Sequence, residues 1–475
     1  MSTSSNVLRP LGMLEKLYPA RQLLNVYHSV IITATYENPL KLEDDFLCTT
    51  LRAALPGLLR RHPPLCCYVE GGETATPWFA RLDTVEVRDI LQFEDLERGR
   101  NLAEKLEELH DQPWPVGPNP LWKLVVIKEL PTNSDTKVES AFHIALVFHH
   151  VIGDGLSGIA FHQSLLHELE SMDQKNQEPQ QVPDIIRTPI FTSLIEPIEK
   201  LIALPLSWMF LTKQVVKEYA PQWLIGAPST VWAGLPHKTL HELSFHSRVR
   251  LVSIRAEDLQ FLVEASRGHD VSLTSLLTAS IASVLANKLP SASGFQGLTP
   301  YTLRRVTGTS TAEMVNQSTG FEIPYAAETL NRIRKASDVT ERLDSLWATA
   351  RYTHTQMRRE LDKCPKDNLV GLLPYVINHV DYYKKKFGKA REATWEVSNL
   401  GVFKASPGSS SKTWNLHSMI FTQGAQPLGS AFTVDCVSVQ GKSLTLAITW
   451  QDRVVEEDLV DAVAQGFMNL PRLLQ

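Results

Sequence analysis

One short stretch restricts the folds open to this chain more than any other. Residues 139–150, ESAFHIALVFHH, form an apolar run that ends on two adjacent histidines. Gly153 and Gly155 interrupt the run, and SGIAFHQSLLHELESM at 157–172 then shows helical periodicity. A strand that turns at once into a helix is a unit of α/β layers, and side chains at such corners commonly open into a cleft.

The rest of the chain repeats that alternation. Tyr27–Tyr36 is β-branched and aromatic and predicts a strand. Leu42–Leu59 has helical spacing, broken near Pro56 and stopped by Pro63–Pro64. Leu102, Leu106 and Leu109 make a helical stripe that the loop Pro113–Pro120 ends, and a strand starts near Trp122. A polar turn spans Pro131–Lys137, and Asp173 to Pro189 is polar and proline-dotted, as a linker would be.

A second set begins at Arg248 with RVRLVSIR, a strand, followed by a helix over Ala256–Ser266. Ser272 is placed to cap a long apolar helix that Pro290 stops. A strand at Leu298–Arg304, a helix over Asp338–Lys363, the strand TWEVSNLGVF, a hairpin around Gln440–Gly441 and a helix from Glu456 to Leu473 complete it. No fixed-period repeat is visible, which sets a solenoid aside. The pattern predicts an α/β protein of two-layer α+β sandwiches facing one another. The boundaries expected are 1–185 for an N-terminal domain carrying the histidine corner, 186–247 for a connection and 248–475 for a C-terminal domain.

A length of 475 residues exceeds one ordinary core. With 43% hydrophobic and 21% charged residues the composition is that of a soluble globular protein. A net charge of −5 argues against a nucleic-acid partner. Cys48, Cys66, Cys67, Cys364 and Cys436 have no framework spacing, so reduced thiols and a cytoplasmic location are expected. The N-terminus has no signal-type apolar core. LIALPLSWMFL at Leu201–Leu211 is too short to span a bilayer and holds Pro205. A buried helix in the connection is its expected form, with peripheral contact with a membrane as the other reading.

Chemistry at the corner depends on which way the histidines face. Neighbouring strand residues point to opposite faces, so His149 and His150 should not converge on one ion. His-x-x-x-Asp alone lacks a zinc or iron ligand set, and no metal is expected. GDGLSG at 153–158 spells a dinucleotide-type glycine pattern, but Asp173, at the spacing of the required acid, opens the polar linker rather than ending a second strand. One histidine held in one tautomer can serve as a general base near neutral pH. Asp154, between glycines and opening a helix, could cap it or hold a cation.

HHVIGDG matches the HHxxxDG motif of the superfamily that includes chloramphenicol acetyltransferase, plant BAHD acyltransferases and peptide-synthetase condensation domains. LRPLGMLEKLYPARQLLNVYHSV at Leu8–Val30 resembles the opening of fungal-type alcohol acetyltransferases, and NPLWKLVVI and WEVSNLGVF resemble further strands of the group. The DFGWG motif of the plant branch is absent.

The resemblance implies two chloramphenicol-acetyltransferase-like domains with an active-site channel between them. Acetyl-CoA or another acyl-CoA would be the co-substrate, a small-molecule alcohol the acceptor, and no cofactor would be held permanently. His150 would be the general base. Asp154 and Gly155 would support the site structurally, with Asp154 paired to Arg304, or else Arg305, and His149 would be packed structure. Ser398 and Asn399 are candidates for contacts to the acyl oxygen. Lys384–Lys386 fit a solvated loop better than a phosphate site. The chain is expected to act as a monomeric O-acyltransferase. The alternatives are a condensation-type enzyme fed by an acyl carrier protein and a non-catalytic small-molecule binding relative.

Overall fold

A computed structural model describes residues 6–475 apart from 38–43, 98, 130–140, 175–181, 192, 220–230, 237–244, 392 and 406–413. The strands of the two main sheets are β1 (Val30–Glu37), β2 (Leu91–Leu96), β3 (Trp122–Glu129), β4 (Ala141–Phe148), β5 (Ser247–Ile254), β6 (Phe295–Thr302), β7 (Ser318–Tyr325), β8 (Trp395–Phe403), β9 (Asn415–Gln423), β10 (Phe432–Val439) and β11 (Leu444–Gln451). The helices that matter below are α1 (Leu17–Leu23), α2 (Asp44–Arg61), α3 (Leu102–His110), α4 (Gly155–Gln174), α5 (Trp208–Tyr219), α6 (Leu273–Lys288), α7 (Val339–Lys363) and α8 (Glu457–Leu474).

One sheet has the order β9-β1-β4-β3-β2 and the other β5-β11-β10-β8-β6-β7. In the first, alternate residues serve two cores. Ile32, Ala34, Ile144, Leu146 and Phe148 pack under α2 and α4, whereas Ile31, Val125, Ala145 and Val147 pack against α3 and against Val249 and Ala447 of the second sheet. Burial on both faces explains why these strands read as unbroken apolar runs. The second sheet is covered by α6, α7 and α8 through residues such as Leu277, Ile281, Trp347 and Phe467.

Several expected elements are present where the pattern placed them. Ser272 Oγ accepts from Ser275 N, so it does cap α6. Three strands carried too weak a signal to be expected: β2, β7 and β9. The last is a strand from the far half of the chain that pairs antiparallel with β1, from Asn415 opposite Glu37 to Gln423 opposite Val30. Pro56 does not break α2. An internal proline costs ~3 kcal/mol, but Leu51, Leu55, Leu58 and Leu59 are fully buried on that helix, and each burial is worth ~1.5–3 kcal/mol.

Residues 201–211 correct a second expectation. They are not a buried helix: α5 starts at Trp208, which is 85% exposed, beside Met209 at 82%. Ser207, whose Oγ accepts from Phe210 N and whose own N–H is held by Asp367, sets that start. The polar turn expected at 131–137 and residues 175–181 of the expected linker lie outside the described residues, and Ile185–Arg187 of that linker is a short strand paired with Thr84–Glu86.

Candidate active site

The corner is built on the end of β4. Its last residue is Phe148, and His149 N donates to Leu121 O at 2.9 Å just beyond it. His149 lines a separate surface pocket with Tyr68 and Pro115, while His150 lines a cavity of about 340 Å³ between the sheets. The two rings diverge, as alternation along a strand requires. Gly158 lets α4 approach β1: a Cβ there would lie 2.2 Å from Ile32 Cγ1. At Gly155 a Cβ would lie 2.6 Å from Leu400 Cδ2, so glycine admits the β8 side chain into the cavity wall.

Asp154 caps α4, its Oδ1 accepting from Ser157 N and Oγ at 3.0 Å each. The same oxygen takes Arg304 Nη2 at 2.8 Å, and Oδ2 takes Gln317 N at 3.2 Å. Arg304 is buried and donates in addition to the carbonyls of Ser310, Glu313 and Val315. Arg305, the other candidate partner, is exposed. Asp173, which a dinucleotide site would place at the end of a second strand, continues α4 instead.

His150 is buried among aromatic rings. Tyr18 stacks on the imidazole with centroids 4.2 Å apart and planes 18° apart, and Tyr27 lies at 6.0 Å. Burial, with Arg21 adding a smaller push in the same direction, lowers the imidazole pKa to about 4, against opposing pulls from its own carbonyl, Asp154 and the Gly153 carbonyl. The ring is therefore neutral at pH 7. Two groups approach Nδ1. Asn316 Nδ2, a donor, is 3.1 Å away and also donates to the His150 carbonyl at 2.9 Å. The residue's own carbonyl, an acceptor, also bonds the ring. The neutral ring keeps one N–H and one nitrogen lone pair, and it lines the cavity.

The candidates on β8 part company. Ser398 and Asn399 both line the cavity. Asn399 is engaged locally: its Nδ2 donates to Thr274 Oγ1 at 3.0 Å and its Oδ1 accepts from Gly401 N at 2.8 Å. Ser398 Oγ has no hydrogen-bond partner among the described residues, which leaves it available to a bound molecule. Lys384 and Lys385 are exposed, and Lys386 sits over the Tyr382 ring.

Several residues in the wall, and Asn316 behind it, gave no sequence signal of their own. Tyr18 and Arg21 lie on a helix of about two turns, preceded by the buried Arg9–Glu15 ion pair at 2.7 and 2.8 Å. Asn316 precedes β7. Glu396 and Gln423 sit where β8 and β9 meet the cavity, with Gln423 Nε2 donating to both Glu396 Oε1 at 3.0 Å and Asp435 Oδ1 at 2.9 Å. Burial raises both carboxyl pKa values, Asp435 more strongly. A charged or amide residue near the end of an apolar strand is the hint available for such positions. It does not distinguish a cavity wall from a solvated end. Among the described residues no group of three or more His, Cys, Asp or Glu could hold a metal.

Comparisons with known proteins agree with this architecture. The model of a family described as alcohol acetyltransferase matches residues 97–469. FCK4 of Fusarium pseudograminearum, named a probable alcohol acetyltransferase, is 27% identical over 475 residues, covering 96% of this chain and 93% of that protein. The solved structure of TRI3 trichothecene 15-O-acetyltransferase from Fusarium sporotrichioides matches with a TM-score of 0.69 at 16% identity, over 98% of this chain and 94% of its own. The condensation domain of the monacolin K polyketide synthase MokA gives 0.61 at 13%, over 98% and 96%. At such identities the structural matches speak for the fold: the α/β two-domain architecture that the HHxxxDG resemblance implied.

Proposed function

We propose, from the premise that the chain belongs to the alcohol acetyltransferase family, that it moves an acetyl group from acetyl-CoA to the hydroxyl of a small organic alcohol with His150 as general base. The observation that carries this is a buried, neutral imidazole with Asn316 Nδ2 against its Nδ1, lining a cavity of about 340 Å³. Nε2 takes the proton of the acceptor hydroxyl as its oxygen attacks the thioester carbonyl carbon. A C–O bond forms, and the carbonyl oxygen becomes an oxyanion. Collapse breaks the C–S bond, and the imidazolium returns its proton to the departing CoA thiolate. No covalent enzyme intermediate is needed.

Ser398 Oγ is placed to donate to the oxyanion. Tyr18 and Asn316 hold the ring: stacking fixes its plane, and the amide lies against Nδ1 and donates to the His150 carbonyl. Asp154 and Arg304 keep the corner in place without touching the reacting atoms.

The test is thiol release from acetyl-CoA by purified protein with a panel of alcohols, beside His150→Ala. Loss of a general base costs ~10²–10⁴-fold, with the thermal midpoint retained. Release by His150→Ala at the wild-type rate would remove the mechanism. Release by neither protein with any alcohol, but transfer from a carrier-bound acyl group, would replace the donor.

A further inference from the structure

The cavity contains a second polar feature that acetyl transfer does not require. Arg21, on α1, lies within a cage of three tyrosines, its Cζ 5.7 Å from the Tyr18 and Tyr27 centroids and 5.0 Å from that of Tyr383. Its Nε donates to Tyr383 Oη at 2.8 Å. Among the described residues Nη1 and Nη2 have no hydrogen-bond partner, and no carboxylate lies within ion-pair distance of them. They are not sealed polar atoms, because Arg21 lines the cavity. A guanidinium has five N–H donors in a fixed plane; here one is used, and the cage fixes that plane while leaving the terminal fork free.

The surroundings supply no contact charge. Glu396 lines the same wall, but its oxygens face Gln423 and Gln426, and burial raises its pKa. Arg21 is half-buried and has no directly bonded anion among the described residues, and a ligand oxygen would complete the arrangement. Tyr18 lies against both Arg21 and His150, its ring centroid 5.7 Å from the guanidinium carbon and 4.2 Å from the imidazole centroid. Both groups line the same cavity, so one bound molecule could touch the base and the fork together.

We infer that Arg21 is a specificity-determining residue for the acceptor, taking a carboxylate or carbonyl oxygen that the alcohol carries about one ring away from its reacting hydroxyl. This rests on the acetyl-transfer reading for the identity of the bound molecule as acceptor; the binding arm below does not need turnover. The thioester carbonyl is the other oxygen that enters this cavity. The wall around Arg21, with Glu396, Gln423 and Gln426, is more extensively polar than that single atom requires.

Three probes of one skeleton separate the sources: 4-(hydroxymethyl)benzoate, 4-(hydroxymethyl)benzamide and 4-methylbenzyl alcohol. Calorimetric affinity should be at least tenfold tighter for the benzoate than for the methyl compound in the wild type, with the benzamide telling a carbonyl from a full charge. Arg21→Gln should abolish that preference, and Arg21→Lys should restore part of it for the benzoate, with unchanged thermal midpoints showing that both variants fold. Equal or undetectable affinity for all three probes, or a preference that survives Arg21→Gln, overturns the inference. So does an equal loss of turnover with all three alcohols in Arg21→Gln, which would place the fork on the acyl donor. Oxygen-dependent binding without acetyl transfer to any alcohol would sink the acetyl-transfer reading and leave the Arg21 assignment standing.

Discussion

Two arginines serve the histidine corner, the buried Arg304 and the half-buried Arg21, and they are used in opposite ways. Arg304 directs its terminal nitrogens to a carboxylate, a hydroxyl and three carbonyls, all within one corner. Arg21 bonds one tyrosine oxygen and turns its fork to the cavity. The same side chain is a structural tie where both terminal nitrogens find local acceptors and a recognition group where aromatic faces hold it and leave the terminal donors free. A site of this kind needs both, because a precise base requires a fixed corner and a substrate requires unfilled valences.

Breaking the tie should have the largest effect. Arg304→Met leaves Asp154 buried and unpaired, a loss of ~3–5 kcal/mol read as a lower urea midpoint or loss of soluble protein. If Arg304→Met were fully stable and simply inactive, Arg304 would belong with Arg21 in the functional wall. Ser398→Ala should reduce kcat by ~10²–10³-fold if its hydroxyl meets the oxyanion, with little change in stability. Asn399→Ala, by contrast, should act mainly through the bulge at Gly401 that its side chain holds, and a thermal shift greater than that of Ser398→Ala is the expected sign.

A smaller, pH-dependent effect sharpens the contrast between sealed and open groups. Burial lowers His62, His150 and His162 to about 4 and His110 and His149 to about 3. For a base whose folded pKa is depressed, the unfolded chain binds protons first. Stability is therefore full above the unfolded value near 6.5 and falls as pH drops toward 4. Each such imidazole costs up to ~1.4 kcal/mol per pH unit in that window. Glu107, Asp111, Glu396 and Asp435, with raised pKa values, work the other way, but they are outnumbered by the lowered histidines, which also include His28, His354 and His379. The thermal midpoint should fall between pH 7 and 5.5, and a flat or rising profile would show that these histidines are not neutral. For the same reason kcat/KM should show no ionisation near 6.5, and a limb there would mean a solvated His150.

Much of the corner was legible before any coordinates. The strand, the two glycines and the helix follow from period and from backbone freedom, and the divergence of His149 from His150 follows from alternation alone. The long-range pair of Asp154 with Arg304, 150 residues apart, came from resemblance, since no local rule joins them. β9 was missed because Asn415–Gln423 begins with a polar, irregular stretch. Its partner β1 is at the other end of the chain. Pro56 was overread because propensity is a local quantity, while the leucines around it are buried by a sheet distant in sequence.

The sequence by itself determined the local elements, the histidine corner and the family to which the chain belongs, because these depend on side-chain periodicity and short motifs. Only the tertiary structure decided which polar groups are filled and which are open. Tyr18, Arg21, Asn316, Glu396 and Gln423 come from four separate stretches, and their meaning is set by what lies within hydrogen-bond reach. That is a property of three-dimensional packing at the ångström scale, and no pattern along a single chain encodes it.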